Sequence, residues 1–439
     1  MASRTRPLSS QVSRREALRM LGGAAAAPFI VRASAFGRDA PSERIGVGVI
    51  GVGNQGMSHV GVLLGMQDTQ VLAVCDPFRS KREAAKQRVE AAYAERRAQG
   101  TFQGCAAYSD FRELVARPDI DAVFIASPEH WHALHTIAAA KAGKDVYCEK
   151  AMARTIAESQ AMVAAVRRYG RVFQAGTQLR STAQFRRPCE LARNGYLGKL
   201  HTIKVGDPRG YPGPPIREEP VPEGLDYDLW VGPAPWSPYV PDRMVNLRGW
   251  MLSYDCTVGF PSGWGQHEID IAQWGNGTDS TTPIEVEARA TFPTEGINDT
   301  AATWHAEYTY ANGVRLIFTS DDENPHGVRF EGTKGWIAAL RRGTTASPES
   351  LLTASLRSSD LHLYESPNHH RNFIDCVRTR REPICPVEAA QHTYVICNLC
   401  DMSARLGRRL RWDPARERCV GDEEANRMLS RAMRPPWEL

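Results

Sequence analysis

A glycine-rich turn near the start of the chain has the residue types and spacing to bind a pyrophosphate. Gly51, Gly53 and Gly56 follow an apolar, β-prone run and form a Gly-x-Gly-x-x-Gly pattern that also contains Asn54 and Gln55. In such a turn the first glycine permits a tight strand-to-helix connection, the second lets the backbone approach the phosphates, and the third lets the helix pack closely on the sheet. The N-terminus of the following helix favours an anion. All five residues are therefore predicted to bind a dinucleotide cofactor.

A carboxylate stands at the distance from this turn at which a dinucleotide site needs one. The short apolar run 71–75 ends at Asp76, twenty positions after Gly56. A carboxylate in that place accepts hydrogen bonds from ribose hydroxyls and repels a 2′-phosphate, so the sequence predicts NAD as the cofactor. Basic residues within 79–82 leave NADP possible. The alternative, a glycine-rich turn without a nucleotide, does not explain Asp76.

Strand and helix patterns alternate along residues 77–180, which predicts the sheet that must position this site. Buried-strand runs lie at 122–126, 145–148 and 172–175, between helical patterns at 79–97, 131–142 and 157–169. Alternation of this kind predicts a parallel, doubly wound α/β sheet of the Rossmann type with right-handed crossovers. Ligands bind such sheets at the carboxyl ends of the strands. That rule predicts a rim formed by Ser127, Pro128, Glu149, Lys150 and residues 176–178.

The second half of the chain has a different pattern. Residues 225–236 are rich in aromatic residues and proline, and they predict a loop that approaches the active cleft. Alternating segments predict an α+β domain with a large, mostly antiparallel open sheet, and they lie at 284–291, 303–310, 314–319 and 328–332, with a hairpin signal at Asn312-Gly313. Helices are predicted within 368–411. The predicted domains are residues 42–178, which bind the dinucleotide, and residues 179–439, whose C-terminal helices pack back on the first domain.

The first 35 residues predict an export signal rather than a part of the fold. A twin-arginine motif at 13–18 precedes a short apolar stretch at 20–31 and an Ala-x-Ala cleavage pattern at 33–35. The apolar stretch is too short to span a bilayer as a stable helix. We therefore expect residues 1–35 to direct export by the twin-arginine pathway to the periplasm. The alternative is a disordered basic N-terminus, in which case the protein is cytoplasmic.

The charge balance argues against nucleic acid as a partner. Residues 1–35 carry six arginines and one glutamate, so the formal net charge of +4 becomes −1 once they are removed. The basic character thus belongs to the export signal. No later segment is long and apolar enough for stable membrane insertion. The ten cysteines are scattered, and Cys397 and Cys400 form a C-x-x-C pair without the second pair of a zinc site, so no metal is predicted.

Two motifs lie at the predicted rim of the sheet. Residues 127–132 read Ser-Pro-Glu-His-Trp-His, and residues 142–150 read Ala-Gly-Lys-Asp-Val-Tyr-Cys-Glu-Lys. They resemble the pattern (T/S)-P-x-x-x-H followed by A-G-K-x-V-x-x-E-K-P of the Gfo/Idh/MocA family of NAD(P)-dependent oxidoreductases. The resemblance continues through 263–275 and, more loosely, to 405–414. It therefore covers essentially all of the mature chain, and it is closest to the exported, twin-arginine branch of the family.

This resemblance implies roles for particular side chains. It assigns catalysis to Lys150 and His267, because a histidine suits the base that takes a hydroxyl proton and a lysine beside the nicotinamide stabilises a developing oxyanion. It also implies that Glu149, Lys150 and His132 lie at the cofactor. The candidate contacts to substrate hydroxyls are Gln178, Arg180 and Asp270.

The chain departs from the family pattern at two positions. Ala151 replaces the proline of E-K-P, and Gly263 stands where the family motif D-x-x-x-H has its aspartate, four residues before His267. The acid that partners the histidine is thus absent from its usual place. The sequence leaves three candidates for a substitute, namely Asp255, Glu268 and Asp270.

Three functions are compatible with these residues. The first is an oxidoreductase that transfers a hydride between NAD(P), tightly bound if the protein is exported, and a hydroxyl of a sugar, polyol or glycoside. The second is a glycoside hydrolase that uses NAD for transient oxidation, elimination and re-reduction. The third is a non-catalytic carbohydrate-binding protein on a dehydrogenase fold, which the two departures favour. The resemblance further implies a small-molecule carbohydrate substrate and a homodimer or homotetramer.

Overall fold

A six-stranded parallel sheet forms the first part of the fold. In the computed structural model the described residues are 43–245 and 249–439, so the predicted signal peptide at 1–35 lies outside them. The strand order is β3-β2-β1-β4-β5-β6, and every neighbouring pair is parallel. The strands are β1 (Ile45–Ile50), β2 (Thr69–Cys75), β3 (Ala106–Tyr108), β4 (Ala122–Ile125), β5 (Asp145–Cys148) and β6 (Phe173–Ala175).

Helices connect these strands. Strands β1, β4 and β5 are buried along their whole length, as expected for apolar runs in a sheet covered by helices on both faces. The strand order reverses between β1 and β4, and this switch point opens a crevice at their carboxyl ends. The helices of this part are α1 (Asn54–Leu64), α2 (Arg79–Ala92), α3 (Ala94–Ala98), α4 (Phe111–Val115), α5 (Glu129–Lys141) and α6 (Ile156–Arg168).

A nine-stranded sheet dominates the rest of the chain. Its order is β13-β12-β11-β7-β10-β9-β8-β14-β15, and the parallel pair is β7 with β10, whereas the other neighbours are antiparallel. The predicted hairpin at Asn312-Gly313 joins β9 to β10, with Gly313 at a φ of 83°. The strands are β7 (Leu200–Asp207), β8 (Glu285–Thr291), β9 (Thr303–Thr309), β10 (Arg315–Ser320), β11 (Gly327–Gly332), β12 (Gly335–Leu340), β13 (Gly343–Ser347), β14 (Leu410–Asp413) and β15 (Arg418–Cys419).

C-terminal helices return to the first sheet. The backbone N–H of Ala175 in β6 donates to the carbonyl of Cys385, and the amide of Gln174 donates to the carbonyl of His369. The remaining helices are α7 (Ala183–Arg193), α8 (Tyr227–Val231), α9 (Phe260–Gly263), α10 (Gly265–Asn276), α11 (Ser350–Thr353), α12 (His369–Thr379), α13 (Val387–Leu406) and α14 (Glu423–Arg427), with 3₁₀ turns at Gln178–Ser181, Pro241–Met244 and Trp250–Leu252.

The predicted fold class, a Rossmann sheet followed by an α+β domain with a mostly antiparallel sheet, is confirmed. None of the helices in the described ranges has the length and apolar character that a membrane span requires.

Candidate active site

The three glycines of the turn each meet a different steric demand. Gly51 has a φ of 80°, and a Cβ there would lie 2.5 Å from the backbone nitrogen of Ser127. A Cβ at Gly56 would lie 1.8 Å from the carbonyl oxygen of Gly51, so the start of α1 packs against β1 at a distance that only glycine permits. A Cβ at Gly53 would have no neighbour within 4 Å. Gly53 therefore borders open space at the N-terminus of α1, which is the place for a pyrophosphate.

A cavity of about 310 Å³ lies in front of this turn. Asp76 forms part of its wall, where the carboxylate accepts backbone hydrogen bonds from Val52 at 3.0 Å and from Phe78 at 2.9 Å. Burial raises the pKa of Asp76, although these N–H donors and Lys81 oppose the shift. The cavity has the predicted position and a suitable lining for a dinucleotide. The predicted cofactor residues that line it are Gly51, Gly53, Asn54, Gln55, Asp76, Ser127 and Pro128.

An aromatic segment from the second half of the chain also lines the cavity. We call residues 224–245 the strap; its Leu229, Trp230, Met244 and Val245 line the cavity. Backbone hydrogen bonds fasten the strap beside Asp76, from Arg79 N–H to Gly224 at 2.8 Å and from Asp226 N–H to Pro77 at 3.1 Å. The predicted loop at 225–236 thus contacts the nucleotide cavity rather than only the substrate side.

Glu149 organises the rim between the cavity and the end of β5. Its Oε1 accepts hydrogen bonds from the amides of Gln55 at 3.1 Å and Gln178 at 3.0 Å, and lies 3.1 Å from Nε2 of His59. Burial alone would raise the pKa of Glu149, but the hydrogen bond and charge of His59 outweigh it and lower the pKa to about 2. Gln178 also donates to the Tyr147 hydroxyl at 3.1 Å. Its amide nitrogen is therefore hydrogen-bonded within the rim and is not free to bind a substrate.

Lys150 and His267, the predicted catalytic residues, are near enough for the lysine charge to act on the imidazole. Nζ of Lys150 donates to the carbonyl of Gly263 at 2.8 Å and lies 5.7 Å from the ring centroid of Trp264. Burial, reinforced by the positive charge of Lys150, lowers the pKa of His267 to about 3. Nδ1 of His267 has no hydrogen-bond partner among the described residues. The pair therefore presents an ammonium group beside a neutral imidazole.

The acid next to Gly263 is Glu129, which the sequence reasoning missed. A Cβ on Gly263 would lie 3.8 Å from Oε1 of Glu129. Glu129 is fully buried and accepts a 3.3 Å hydrogen bond from the N–H of Ala151. Burial raises the pKa of Glu129, and the nearby charge of Lys150 opposes that shift. The signal was its place in the 127–132 motif, directly after the strand-end Ser127-Pro128.

The three acids proposed as substitutes lie in other environments. Asp270 is paired with a buried arginine, and Glu268 contacts Arg341 through its Oε1 at 2.6 Å. The backbone carbonyl of Asp255 binds Arg431. Of the three, Glu268 is the one whose charge is among the main influences on His267, where it opposes the lowering of the histidine pKa. None of them lies beside Gly263 as Glu129 does.

The predicted substrate contacts of Arg180 and Asp270 need correction. Their side chains are 2% and 1% exposed and form a bidentate ion pair, with Nη2–Oδ1 at 2.6 Å and Nε–Oδ2 at 2.8 Å. Arg180 also contacts Asp279 at 2.9 Å. Because charges buried this deeply are stable only when paired, the two side chains hold the 3₁₀ turn at 178–181 to α10 rather than bind a sugar.

The predicted cofactor contact of His132 is also corrected. Its ring is 1% exposed, and its two nitrogens lie 2.7 Å from the carbonyl of Ala151 and 2.8 Å from that of Ser127. His132 therefore ties the end of β4 to the turn after Lys150. The ring positions two loops of the rim, and neither nitrogen is left for a ligand.

A phosphate-binding turn, a ribose-side carboxylate and an adjoining lysine–histidine pair define a dinucleotide-dependent oxidoreductase. The family comparison agrees: an oxidoreductase-family NAD-binding Rossmann fold matches residues 45–177, and the C-terminal alpha/beta domain of the same family matches residues 213–439. The chain belongs to the Gfo/Idh/MocA family of NAD(P)-dependent oxidoreductases, and its first domain is an NAD-binding domain.

Individual relatives are similar over different lengths. An uncharacterized oxidoreductase of Bacillus subtilis, YrbE, is 26% identical over 68% of this chain and 74% of its own. Levoglucosan dehydrogenase of Pseudarthrobacter phenanthrenivorans is 34% identical over 37% of this chain and 40% of its own length. A glycosyl hydrolase family 109 protein of Shewanella is 32% identical over 30% of this chain and 28% of its own. The last two matches thus span less than half of the relative.

A solved structure shares the fold. The WlbA dehydrogenase of Chromobacterium violaceum, in complex with NADH and UDP-GlcNAcA, superposes with a TM-score of 0.63 at 16% identity. The match covers 84% of this chain and 96% of that one.

Proposed function

We propose that this protein transfers a hydride between a tightly held NAD and a hydroxyl group of a sugar, polyol or glycoside. The observation that carries the proposal is the pair of Lys150 and His267, an ammonium beside a neutral imidazole at the end of β5, next to the rim of the dinucleotide cavity. The similarity to a levoglucosan dehydrogenase supports a carbohydrate as substrate.

The residues at this site suit the oxidation of an alcohol. When bound, NAD supplies the hydride acceptor. Neutral His267 takes the hydroxyl proton as the carbonyl forms. Lys150 keeps two N–H groups beyond the one that Gly263 accepts, and these stabilise the negative charge that develops on the substrate oxygen. In the reverse direction His267 returns the proton to the oxygen.

NAD is the favoured cofactor because of Asp76. Its carboxylate is fixed by the N–H groups of Val52 and Phe78, so it cannot swing away from an incoming group. A 2′-phosphate at this wall would meet that negative charge, whereas ribose hydroxyls would donate hydrogen bonds to it. Lys81 also lines the cavity, which keeps NADP a possible second cofactor.

The strap supports tight retention of the cofactor. Residues 224–245 lie across the Asp76 side of the cavity, and the N–H of the Trp131 indole donates to the carbonyl of Trp230 at 3.2 Å. We propose that residues 1–35 export the folded protein to the periplasm. Free dinucleotide is absent there, so the cofactor must be loaded before export and regenerated in place.

The test of retention is the release of nucleotide from the purified protein. Denaturation followed by mass spectrometry of the supernatant should recover about one dinucleotide per chain, with NAD in excess of NADP. A supernatant without stoichiometric nucleotide would refute tight binding, although it would leave a dissociable cofactor possible.

The test of the reaction is a screen of sugars, polyols and glycosides, monitored at the absorbance of reduced nicotinamide. Wild-type protein should change this absorbance with one substrate class, and Lys150→Met should not. The absence of any absorbance change in both proteins would favour the non-catalytic alternative, in which the chain only binds carbohydrate.

A glycoside hydrolase is the second candidate, supported by the glycosyl hydrolase family 109 relative. The same lysine and histidine would handle the hydroxyl proton while bound NAD supplied the transient oxidation, before elimination of the aglycone, addition of water and re-reduction. Release of the aglycone without accumulation of reduced nicotinamide identifies the hydrolase. A stable oxidised sugar identifies the oxidoreductase.

A further inference from the structure

A cluster of three potential metal ligands includes a residue of α10, the helix that carries His267. Asp207 ends β7, Glu268 belongs to α10, and His326 precedes β11. One ligand atom of each side chain lies within 4.8 Å of the other two. The three residues are far apart in the chain, so no spacing pattern in the sequence could have predicted the cluster.

The carboxylates of this cluster are buried, and three of their four oxygens accept no hydrogen bond from the described residues. Asp207 and Glu268 are both fully buried. Within the described residues, neither oxygen of Asp207 accepts a hydrogen bond, and Oε2 of Glu268 accepts none. Arg341 contacts Glu268 through Oε1, at 2.8 Å from Nε and 2.6 Å from Nη2. One guanidinium against two carboxylates leaves a negative charge uncompensated in a buried place, which is costly unless a cation or a proton occupies the site.

The two spacings that involve His326 match those around a small divalent ion. Nε2 of His326 lies 3.4 Å from Oδ1 of Asp207 and 3.3 Å from Oε1 of Glu268. A tetrahedral zinc site has bonds of about 2.0–2.1 Å, so its ligand atoms are about 3.3 Å apart. One imidazole with two carboxylates suits Zn²⁺ or another first-row transition metal, whereas Ca²⁺ and Mg²⁺ prefer oxygen ligands throughout.

We propose that Asp207, Glu268 and His326 bind one divalent transition-metal ion, with Zn²⁺ as the best fit. Three protein ligands leave a fourth position for water, and the His326 side, which is 23% exposed, provides access for it. The ion replaces the missing positive charge between the two carboxylates. It joins β7 and the segment before β11 to α10, the helix that carries His267.

The site adjoins the catalytic pair without including it. Glu268 follows His267 directly in α10, and the ring of Trp264 lies 5.7 Å from the ring of His326. The ammonium of Lys150 lies 5.7 Å from the same indole. We therefore assign the ion a positioning role, in which it fixes the first turns of α10 under the catalytic histidine.

Metal content tests the proposal directly. The full chain, stripped with a chelator and dialysed against ZnCl₂, should retain about one zinc ion per chain by elemental mass spectrometry. Asp207→Asn and His326→Gln should each weaken retention by about tenfold or more. His305→Gln is the matched control. The His305 ring also lies beside two carboxylates, Glu323 at 2.6 Å and Glu307 at 3.3 Å, but each contacts a different ring nitrogen and both carboxylates are exposed. This variant should keep its zinc.

Thermal unfolding provides the second readout. ZnCl₂ in roughly tenfold molar excess should raise the Tm of the stripped wild-type protein and of His305→Gln, but not that of His326→Gln. Two results would overturn the proposal. One is a stripped protein that takes up no zinc and shows no change in Tm when zinc is added. A higher Tm for Asp207→Asn would then indicate that the two carboxyl groups share a proton. The other is equal zinc in wild-type and His326→Gln, which would place the ion elsewhere.

Discussion

The ammonium of Lys150 donates a 2.8 Å hydrogen bond to the carbonyl of Gly263, the residue that replaces the family aspartate. The backbone thus orients the lysine, and the carboxylate near this point comes from Glu129 on a different helix. The site keeps an acid close to its lysine although the usual position has no side chain.

Replacement of Lys150 tests the catalytic pair. Lys150→Met should lower kcat by about 100-fold or more, because the charge that stabilises the developing oxyanion is lost. Bound dinucleotide should stay at the wild-type level, since the lysine lies outside the lining of the nucleotide cavity. Turnover and mass spectrometry of the released nucleotide measure the two effects. Lys141→Met, at the exposed end of α5, is the control and should leave both unchanged.

The pH dependence of kcat/KM reports the state of His267. Burial and the charge of Lys150 lower the pKa of His267 to about 3, so the neutral base persists as the pH falls from 7 to 5. The acid limb that belongs to this histidine should therefore lie well below the ordinary value of about 6.5. Rates measured at short times, before any unfolding, are the appropriate data. An acid limb near pH 6.5 would mean that a different or more exposed group acts as the base.

A double-mutant cycle tests the relation between Gly263 and Glu129. Gly263→Asp should lower the free energy of unfolding by about 1–3 kcal/mol, because a second buried carboxylate would face Glu129 and because Met251 must move from 2.7 Å. Glu129→Gln in the same chain should recover part of that loss. Chemical denaturation of the four proteins gives the coupling energy. A coupling near zero would show that the two positions do not share one acid site.

Much of the fold could be predicted, because it depends on local patterns. The glycine turn, the strand ending at Asp76 and the hairpin at Asn312-Gly313 all depend on residues close in the chain, where spacing alone dictates geometry. Strands β7, β12 and β13 were not predicted, because their alternation is weak. β13 in particular, at 343–347, has no fully buried position.

The errors at the site arise from contacts between distant residues. Arg180 and Asp270 are ninety positions apart, and nothing in either local pattern shows that they neutralise each other. No local pattern predicts the place of Glu129 either. Its carboxylate contacts the hydroxyl of Ser262, which is 133 positions away in the chain and adjacent to Gly263. A sequence pattern identifies which side chains can do chemistry. Packing between distant residues decides which of those side chains form buried pairs with each other and so cannot bind a ligand.

Buried histidines should make the protein sensitive to acid. Burial lowers the pKa of His130 and His267 to about 3, and that of His369 and His370 to about 4. Between about pH 4 and 6.5 the unfolded chain therefore binds protons that the native chain does not, so stability falls as the pH falls. Each such histidine contributes up to about 1.4 kcal/mol per pH unit within that window.

The measurement is the Tm between pH 7 and pH 5 at constant ionic strength. His369 offers the sharpest variant, because its two ring nitrogens lie 2.8 Å from the Ser181 hydroxyl and 2.8 Å from the Ala175 carbonyl. His369→Gln keeps a side chain of similar polarity but has no titrating group. It should lower the Tm at pH 7 through imperfect packing and should also flatten the decline toward pH 5. If wild-type and variant lose stability in parallel, the acid sensitivity comes from other groups.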